Sequence, residues 1–284
     1  MKEARPSVTA QRVAMRRAAH QILDDPKVFE DPLAERIIGS EALESLKAEV
    51  REQQTRASRS LRAFIAVRSR FAEDELAQAI ERGASQYVIL GAGLDTFAYR
   101  NPYLDPALRV FEVDHPATQA WKHRKLAAAG ISIPPSVTYA SVDFEEQTLA
   151  EGLERANFQR AQVTYFSWLG VTPYLTEEAF SGTVRFIASM PSGSGVVFDY
   201  AVPRSSLNFR EKLAFDALSR RVAAGGEPFR LFFDPGELFE LLRRAGFTSI
   251  TDLDPERINS RYFDQRTDNL QVGGGLAHLL SAWI

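Results

Sequence analysis

The sequence predicts an α/β fold, a Rossmann-like, seven-stranded, mostly parallel sheet preceded by a helical extension. Three observations carry this. From residue 86 onward, short apolar runs alternate with helical stretches, the mark of a parallel sheet. The first of those runs, in VILGAGLDTFAYR at 88–100, ends in a Gly-Ala-Gly turn of the kind that brings backbone close to a ligand. The first eighty residues carry helical patterning instead.

The bulk numbers fit this class. A chain of 284 residues can bury a large core, and its 45% hydrophobic and 25% charged content is that of an ordinary globular protein. A net charge of −3 gives no basic footprint for nucleic acid. With no cysteine, disulfides, zinc–thiolate sites and cysteine nucleophiles are excluded. The first twenty residues lack the apolar stretch of a signal peptide, and no run approaches the ~18 apolar residues of a membrane span. A cytoplasmic protein is expected; the oligomeric state is not set by the sequence.

Taken in order, residues 8–23 are helical by composition, and Asp-Asp-Pro at 24–26 breaks them. DPLAERIIG at 31–39 opens on Asp-Pro and stops at Gly39, a short capped helix, and 41–54 form a charged, solvated helix. In the helix over 60–81, Leu61, Phe64, Ile65, Arg68, Ala72, Leu76 and Ala79 share one face, while Arg70 points away. An arginine inside an apolar stripe needs an anion or a path to water. Strands are expected at 86–91, 108–113, 136–142, 162–168 and 194–201, with helices at 94–102, 115–129, 145–157 and 176–190 between them. A helix at 207–223, a Gly-rich loop, a helix at 235–245 capped by Gly246, and strands at 247–253 and 276–283 close the chain. Residues 254–270 are polar and irregular. Five strands followed by a late pair resemble the class I methyltransferase sheet more than the six-stranded dinucleotide-binding one.

The motifs decide between these two. Gly91 and Gly93 allow a tight turn, but the third small position of the dinucleotide fingerprint holds Thr96, and Asp95 sets a carboxylate where a pyrophosphate would arrive. That charge does not repel a cationic sulfonium. The second strand ends at Asp114, where an acid can accept from both ribose hydroxyls or cap the helix that follows. The third ends at Asp143-Phe144, where a carboxylate can accept from an adenine amino group and an aromatic ring can cover the base; a cap and a core Phe are the alternative.

The stretches RSRFAED, QYVILGAGLDTFAYR, VFEVDHPATQAWKHRKL, YLTEEAF and FDYA resemble, in this order, the leucine carboxyl methyltransferase family, in its bacterial branch of S-adenosylmethionine-dependent methyltransferases. The resemblance implies a class I methyltransferase fold, with S-adenosyl-L-methionine as cofactor, bound through Gly91, Gly93, Asp114, Asp143 and Phe144, with Asp95 in the same turn. It also gives Arg68 its anion, the methionine carboxylate. Residues 1–83 become an extension covering the cofactor site and 84–284 the methyltransferase core, in one structural domain. One departure stands out: the family commonly has an acid before the glycine of the fourth-strand motif, where WLGVTPYL carries Leu169.

The four histidines, at 20, 115, 123 and 278, show no metal spacing, and no Gly-x-Ser-x-Gly elbow is present. No catalytic base stands out; Tyr174, Tyr200 and Tyr262, with Arg204 and Asp199, are candidates for the substrate side. A carboxylate acceptor needs no base, whereas a phenol or alcohol does. The expected activity is therefore O-methylation of a small-molecule carboxylate, with a hydroxyl acceptor, a binding protein without transfer activity and a nicotinamide-dependent oxidoreductase as alternatives. The residues expected to hold the acceptor fall in the least patterned parts of the chain.

Overall fold

A computed structural model describes residues 7–104, 108–143, 147–224 and 228–284. The N-terminal helices are α1 (Val8–Leu23), α2 (Ala34–Ile38), α3 (Ser40–Ala48), α4 (Val50–Gln53) and α5 (Arg56–Glu81). Ser7 starts α1 by accepting the Ala10 N–H, and Thr55 starts α5 by accepting that of Ser58. The charged helix expected over 41–54 is broken at Glu49 into α3 and α4.

After α5 come β1 (Gln86–Leu90), β2 (Arg109–Asp114), α6 (Pro116–Ala128), β3 (Val137–Ser141), α7 (Leu149–Arg155), β4 (Thr164–Trp168), α8 (Glu177–Ala188) and β5 (Gly195–Ala201). Then follow α9 (Phe209–Ala224), α10 (Pro235–Ala245), β6 (Ser249–Leu253), α11 (Pro255–Tyr262) and β7 (Ala277–Trp283). The sheet order is β3-β2-β1-β4-β5-β7-β6, seven strands as expected. β1 to β5 are parallel, and β7 runs antiparallel between β5 and β6. Trp283 of β7 lies over Gly195 of β5, where a Cβ would sit 2.6 Å from the indole.

One face of the sheet packs Val88, Phe111, Phe166 and Phe198 under α7, α8 and α10. The other packs Tyr87, Val110, Tyr165 and Val197 under α5 and α11. A third apolar cluster joins Ala14 and Ala18 of α1, Ile37 of α2, Leu94 and Leu126 of α6. α5 is covered on two sides, packing against β4 and β5 of the sheet and against α1. That explains why Arg62, outside the apolar stripe, is also fully buried: its guanidinium donates through Nε and Nη2 to Asp24 at the end of α1, each at 2.7 Å.

Two further expectations fail. The stretch 94–102 is not an α-helix; it holds only one 3₁₀ turn, Phe97–Tyr99. Its polar side chains are committed elsewhere, since Asp95 accepts the Phe97 N–H and the Thr96 hydroxyl donates to Asp31. The irregular stretch 254–270 contains α11, started by Asp254 as N-cap and Pro255 at the first helical position. No helix among the described residues is long and apolar enough to cross a membrane.

Candidate functional site

A cavity of about 600 Å³ opens at the carboxyl ends of β1, β2 and β4, the end of a parallel sheet where ligands bind. Its floor is the turn after β1. Gly91 and Gly93 have φ of +67° and +46°, a region that β-carbon-bearing residues avoid. Their missing side chains are also needed for space. A Cβ on Gly91 would stand 2.4 Å from Val171 Cγ2, and one on Gly93 would stand 3.0 Å from the Ala10 methyl of α1.

Asp114, at the end of β2, faces this turn. Its Oδ2 accepts the Gly93 N–H at 2.6 Å and its Oδ1 accepts the His115 N–H at 2.7 Å. Burial pushes its carboxyl above the usual carboxylate value, against the pull of these two N–H groups and of Lys122. Asp114 does not cap α6. His115 does, its Nδ1 accepting the Ala117 N–H at 3.1 Å, so the neutral ring carries its proton on Nε2. That Nε2 lies 3.5 Å from Oδ2 of Asp143, which lines the same end of the cavity. Phe144 lies outside the described residues.

Asp95 also lines the cavity, but it is not an open charge. Its Oδ1 accepts the Phe97 N–H at 2.8 Å and its Oδ2 accepts from Arg17 Nη1 of α1 at 3.2 Å. Burial opposes ionisation, yet Arg17, Lys122 and Arg100 outweigh it and hold the carboxyl below the usual range. Arg17 bonds further to Asp31 at 2.7 Å and to Thr96 at 3.0 Å, fastening α1 over the glycine turn.

Arg68 points into the cavity, as the helical phase of α5 predicts, while Arg70 is exposed and paired with Asp74. The anion that Arg68 requires is present in the chain itself. Nη1 donates to Oδ2 of Asp199 on β5 at 3.2 Å, and both side chains are buried. Among the described residues this is its one hydrogen bond, longer than the usual 2.7–2.9 Å of a charge-assisted contact. A guanidinium has five N–H donors, so capacity remains for a second anion.

Of the tyrosines, Tyr174 lines the cavity, its ring 5.5 Å from that of Phe229. Tyr200 and Tyr262 do not. The Tyr200 hydroxyl donates to Asp252 at 2.9 Å on the opposite face of β5, and the Tyr262 hydroxyl donates to Asp74 at 2.9 Å. Arg204 is tied to Asp216 at the surface, away from the cavity. Leu169 lines the wall where the family pattern has an acid. No group of three or more metal-binding side chains occurs among the described residues.

Sequence reasoning missed Arg17 and Ala10 on α1, and the pairing role of Asp199. Asp199 did leave a signal, as the single charge in the apolar strand GVVFDYA. Arg17 left less, an arginine beside the small residues that bury α1.

Residues 10–188 match the pattern of the family described as leucine carboxyl methyltransferase. A Bacillus subtilis protein named "Putative S-adenosyl-L-methionine-dependent methyltransferase YktD" is 32% identical over 293 residues, covering 96% of each chain. A Saccharopolyspora erythraea relative bearing the same general name is 30% identical over 202 residues, covering 70% of this chain and 69% of its own. Among solved structures, a DUF574 family protein of Streptomyces avermitilis superposes with a TM-score of 0.61 at 14% identity, covering 96% of this chain and 97% of its own. A Thermobifida fusca protein does so with a TM-score of 0.60 at 17% identity, covering 99% and 96%. At these identities the two structures establish the shared fold.

Proposed function

Since the chain belongs to the leucine carboxyl methyltransferase family and is an S-adenosylmethionine-dependent methyltransferase, we propose that it methylates an oxygen of a small-molecule carboxylic acid in the cavity described above. The residues fit the cofactor. The glycine turn lines the cavity, where its backbone can meet a ligand closely, Asp114 offers the remaining acceptor capacity of its carboxylate to ribose hydroxyls, and Asp143 with His115 lines the adenine end. Arg68 takes the methionine carboxylate with the donors that Asp199 leaves open. Bound there, the cofactor supplies a methyl group already activated on sulfur.

What remains for the protein is to align the acceptor oxygen with the methyl group and to exclude water. α1 covers the glycine turn through Ala10 and Arg17, and the wall Leu169–Leu175 closes the β4 side. The observation that carries the acceptor class is the nature of this wall. Leu169, Val171, Tyr174 and Leu175 line it, and none is ready to take a proton at neutral pH. The one imidazole among the lining residues, His115, stands after β2, with β1 between it and the β4 wall. A carboxylate acceptor arrives ionised, needs no base, and leaves as a methyl ester.

The test supplies cofactor with a radiolabelled methyl group and a fractionated metabolite extract to the purified protein. Label recovered as volatile methanol after mild alkali supports the ester. Label that survives alkali overturns the carboxylate reading and points to a hydroxyl acceptor.

A further inference from the structure

Asp199 does more than neutralise Arg68. Its side chain is 8% exposed and both its oxygens take donors: Oδ2 from Arg68 on α5, and Oδ1 from the backbone N–H of Gly170, just after β4. Its own carbonyl accepts the Thr172 hydroxyl. One residue of β5 therefore holds the arginine of the cofactor site and the first turn of the loop that follows β4.

That loop is built to receive the guanidinium. Gly170 has φ +71°, and a Cβ there would stand 2.8 Å from Arg68 Nη2 and 2.9 Å from Nη1. Beyond Gly170 the chain forms the cavity wall with Val171, Tyr174 and Leu175, and the Pro173 carbonyl accepts the N–H of Arg230 at 2.7 Å. Arg68, Asp199 and the wall thus share one continuous set of hydrogen bonds. A displacement of the guanidinium toward a new anion is felt at Gly170 through the carboxylate they share.

We propose that Asp199 is a positioning residue that couples the amino-acid arm of the cofactor to the acceptor wall, residues 170–175. Engagement of the arm's carboxylate by Arg68 sets the wall through Asp199, so the acceptor pocket is completed by the loaded cofactor. The inference rests on the reading of Arg68 as the ligand of that carboxylate. An amide cannot replace Asp199, because its NH₂ would face a donor at either Gly170 or Arg68.

Two probes separate this from a plain structural role. S-adenosylhomocysteine carries the amino-acid arm; 5′-methylthioadenosine shares the nucleoside and the thioether but lacks the arm. In the wild-type protein, hydrogen exchange at the backbone N–H groups of residues 170–172, 174 and 175 is expected to slow about tenfold more with the first than with the second, within the about 5–150-fold range of site-to-site coupling. In Asp199→Asn, affinity for S-adenosylhomocysteine should fall about tenfold and that for 5′-methylthioadenosine less than about twofold, both read by calorimetric titration. Equal protection of the wall by both ligands, or equal loss of both affinities, overturns the proposal. If the variant does not fold, the wild-type exchange comparison decides alone. Failure of the underlying reading has a different signature: Arg68→Ala would then bind S-adenosylhomocysteine as tightly as the wild type.

Discussion

Replacing Gly91 by Ala tests the floor of the site in two separable parts. The first part is conformational. Gly91 has φ +67°, and a left-handed conformation costs a β-carbon-bearing residue about 1–2 kcal/mol. The second part is steric. The new methyl would stand 2.4 Å from Val171 Cγ2, and valine has few rotamers through which to withdraw. Overpacking of this kind costs about 1–3 kcal/mol. Gly91→Ala is therefore expected to lose about 2–5 kcal/mol of stability. Val171→Ala removes the colliding methyl, so the double variant should recover the steric part, about 1–3 kcal/mol, and keep the conformational part. Urea unfolding of all four proteins, followed by circular dichroism, gives the coupling energy directly. Additivity within about 0.5 kcal/mol would refute the contact with the β4 loop, and a Gly91→Ala loss below about 1 kcal/mol would refute the turn conformation as well.

Three further outcomes follow from the buried charges. Arg68→Ala should weaken S-adenosylhomocysteine binding by about 2–5 kcal/mol in calorimetric titration, whereas Arg70→Ala, at an exposed pair with Asp74, should change it by less than about 1 kcal/mol. Asp24 is buried, which opposes its charge, but Arg62 and His20 outweigh this and hold its carboxyl at about 2 against an ordinary 3.8. A depressed carboxyl stabilises above its unfolded value and ceases to as pH falls toward the folded one. Asp24→Asn should thus cost about 3–5 kcal/mol at pH 7 by leaving Arg62 unpaired, and its deficit in urea unfolding should narrow between about pH 4 and pH 2. Glu112 shows the opposite sign: burial outweighs Lys122, 2.7 Å away, and raises its carboxyl to about 6, so the stability it contributes is lost as pH rises through that value. Lys122→Met should be destabilised more at pH 8 than at pH 5; an equal deficit at both would count against the buried pair.

What was legible in the sequence is what local chemistry determines. The strands announced themselves as apolar runs, Gly91 and Gly93 as a turn, and Arg68 by its phase on α5, because each signal lies within a few residues of its cause. The contacts that finish the site are of another kind. Arg17 meets Asp95 across 78 positions of sequence, and Arg68 meets Asp199 across 131. No periodicity encodes either. The expected helix after the glycine turn failed for the same reason, since Thr96 and Asp95 are held by Asp31 and Arg17 of the N-terminal segment. α11 was missed differently. Its start signal, Asp254-Pro255, is plain, but a polar composition hid it. The family resemblance named the candidate cofactor residues; it could not show that Asp95 is already paired with Arg17.

The place of β7 has a consequence for the chain while it is being made. β7 runs between β5 and β6, yet it is the last of the seven strands to be synthesised. Until residues 277–283 leave the ribosome, β5 has no neighbour beyond β4, and the open edge of GVVFDYA is apolar and ready to pair. At about 5–20 residues per second the exposure lasts on the order of several seconds. Synthesis arrested anywhere before β7 leaves that edge permanently open, so nascent fragments of this protein should collect in the insoluble fraction while the finished chain does not. Emergence of residues 277–283, more than any step before it, is what seals the sheet.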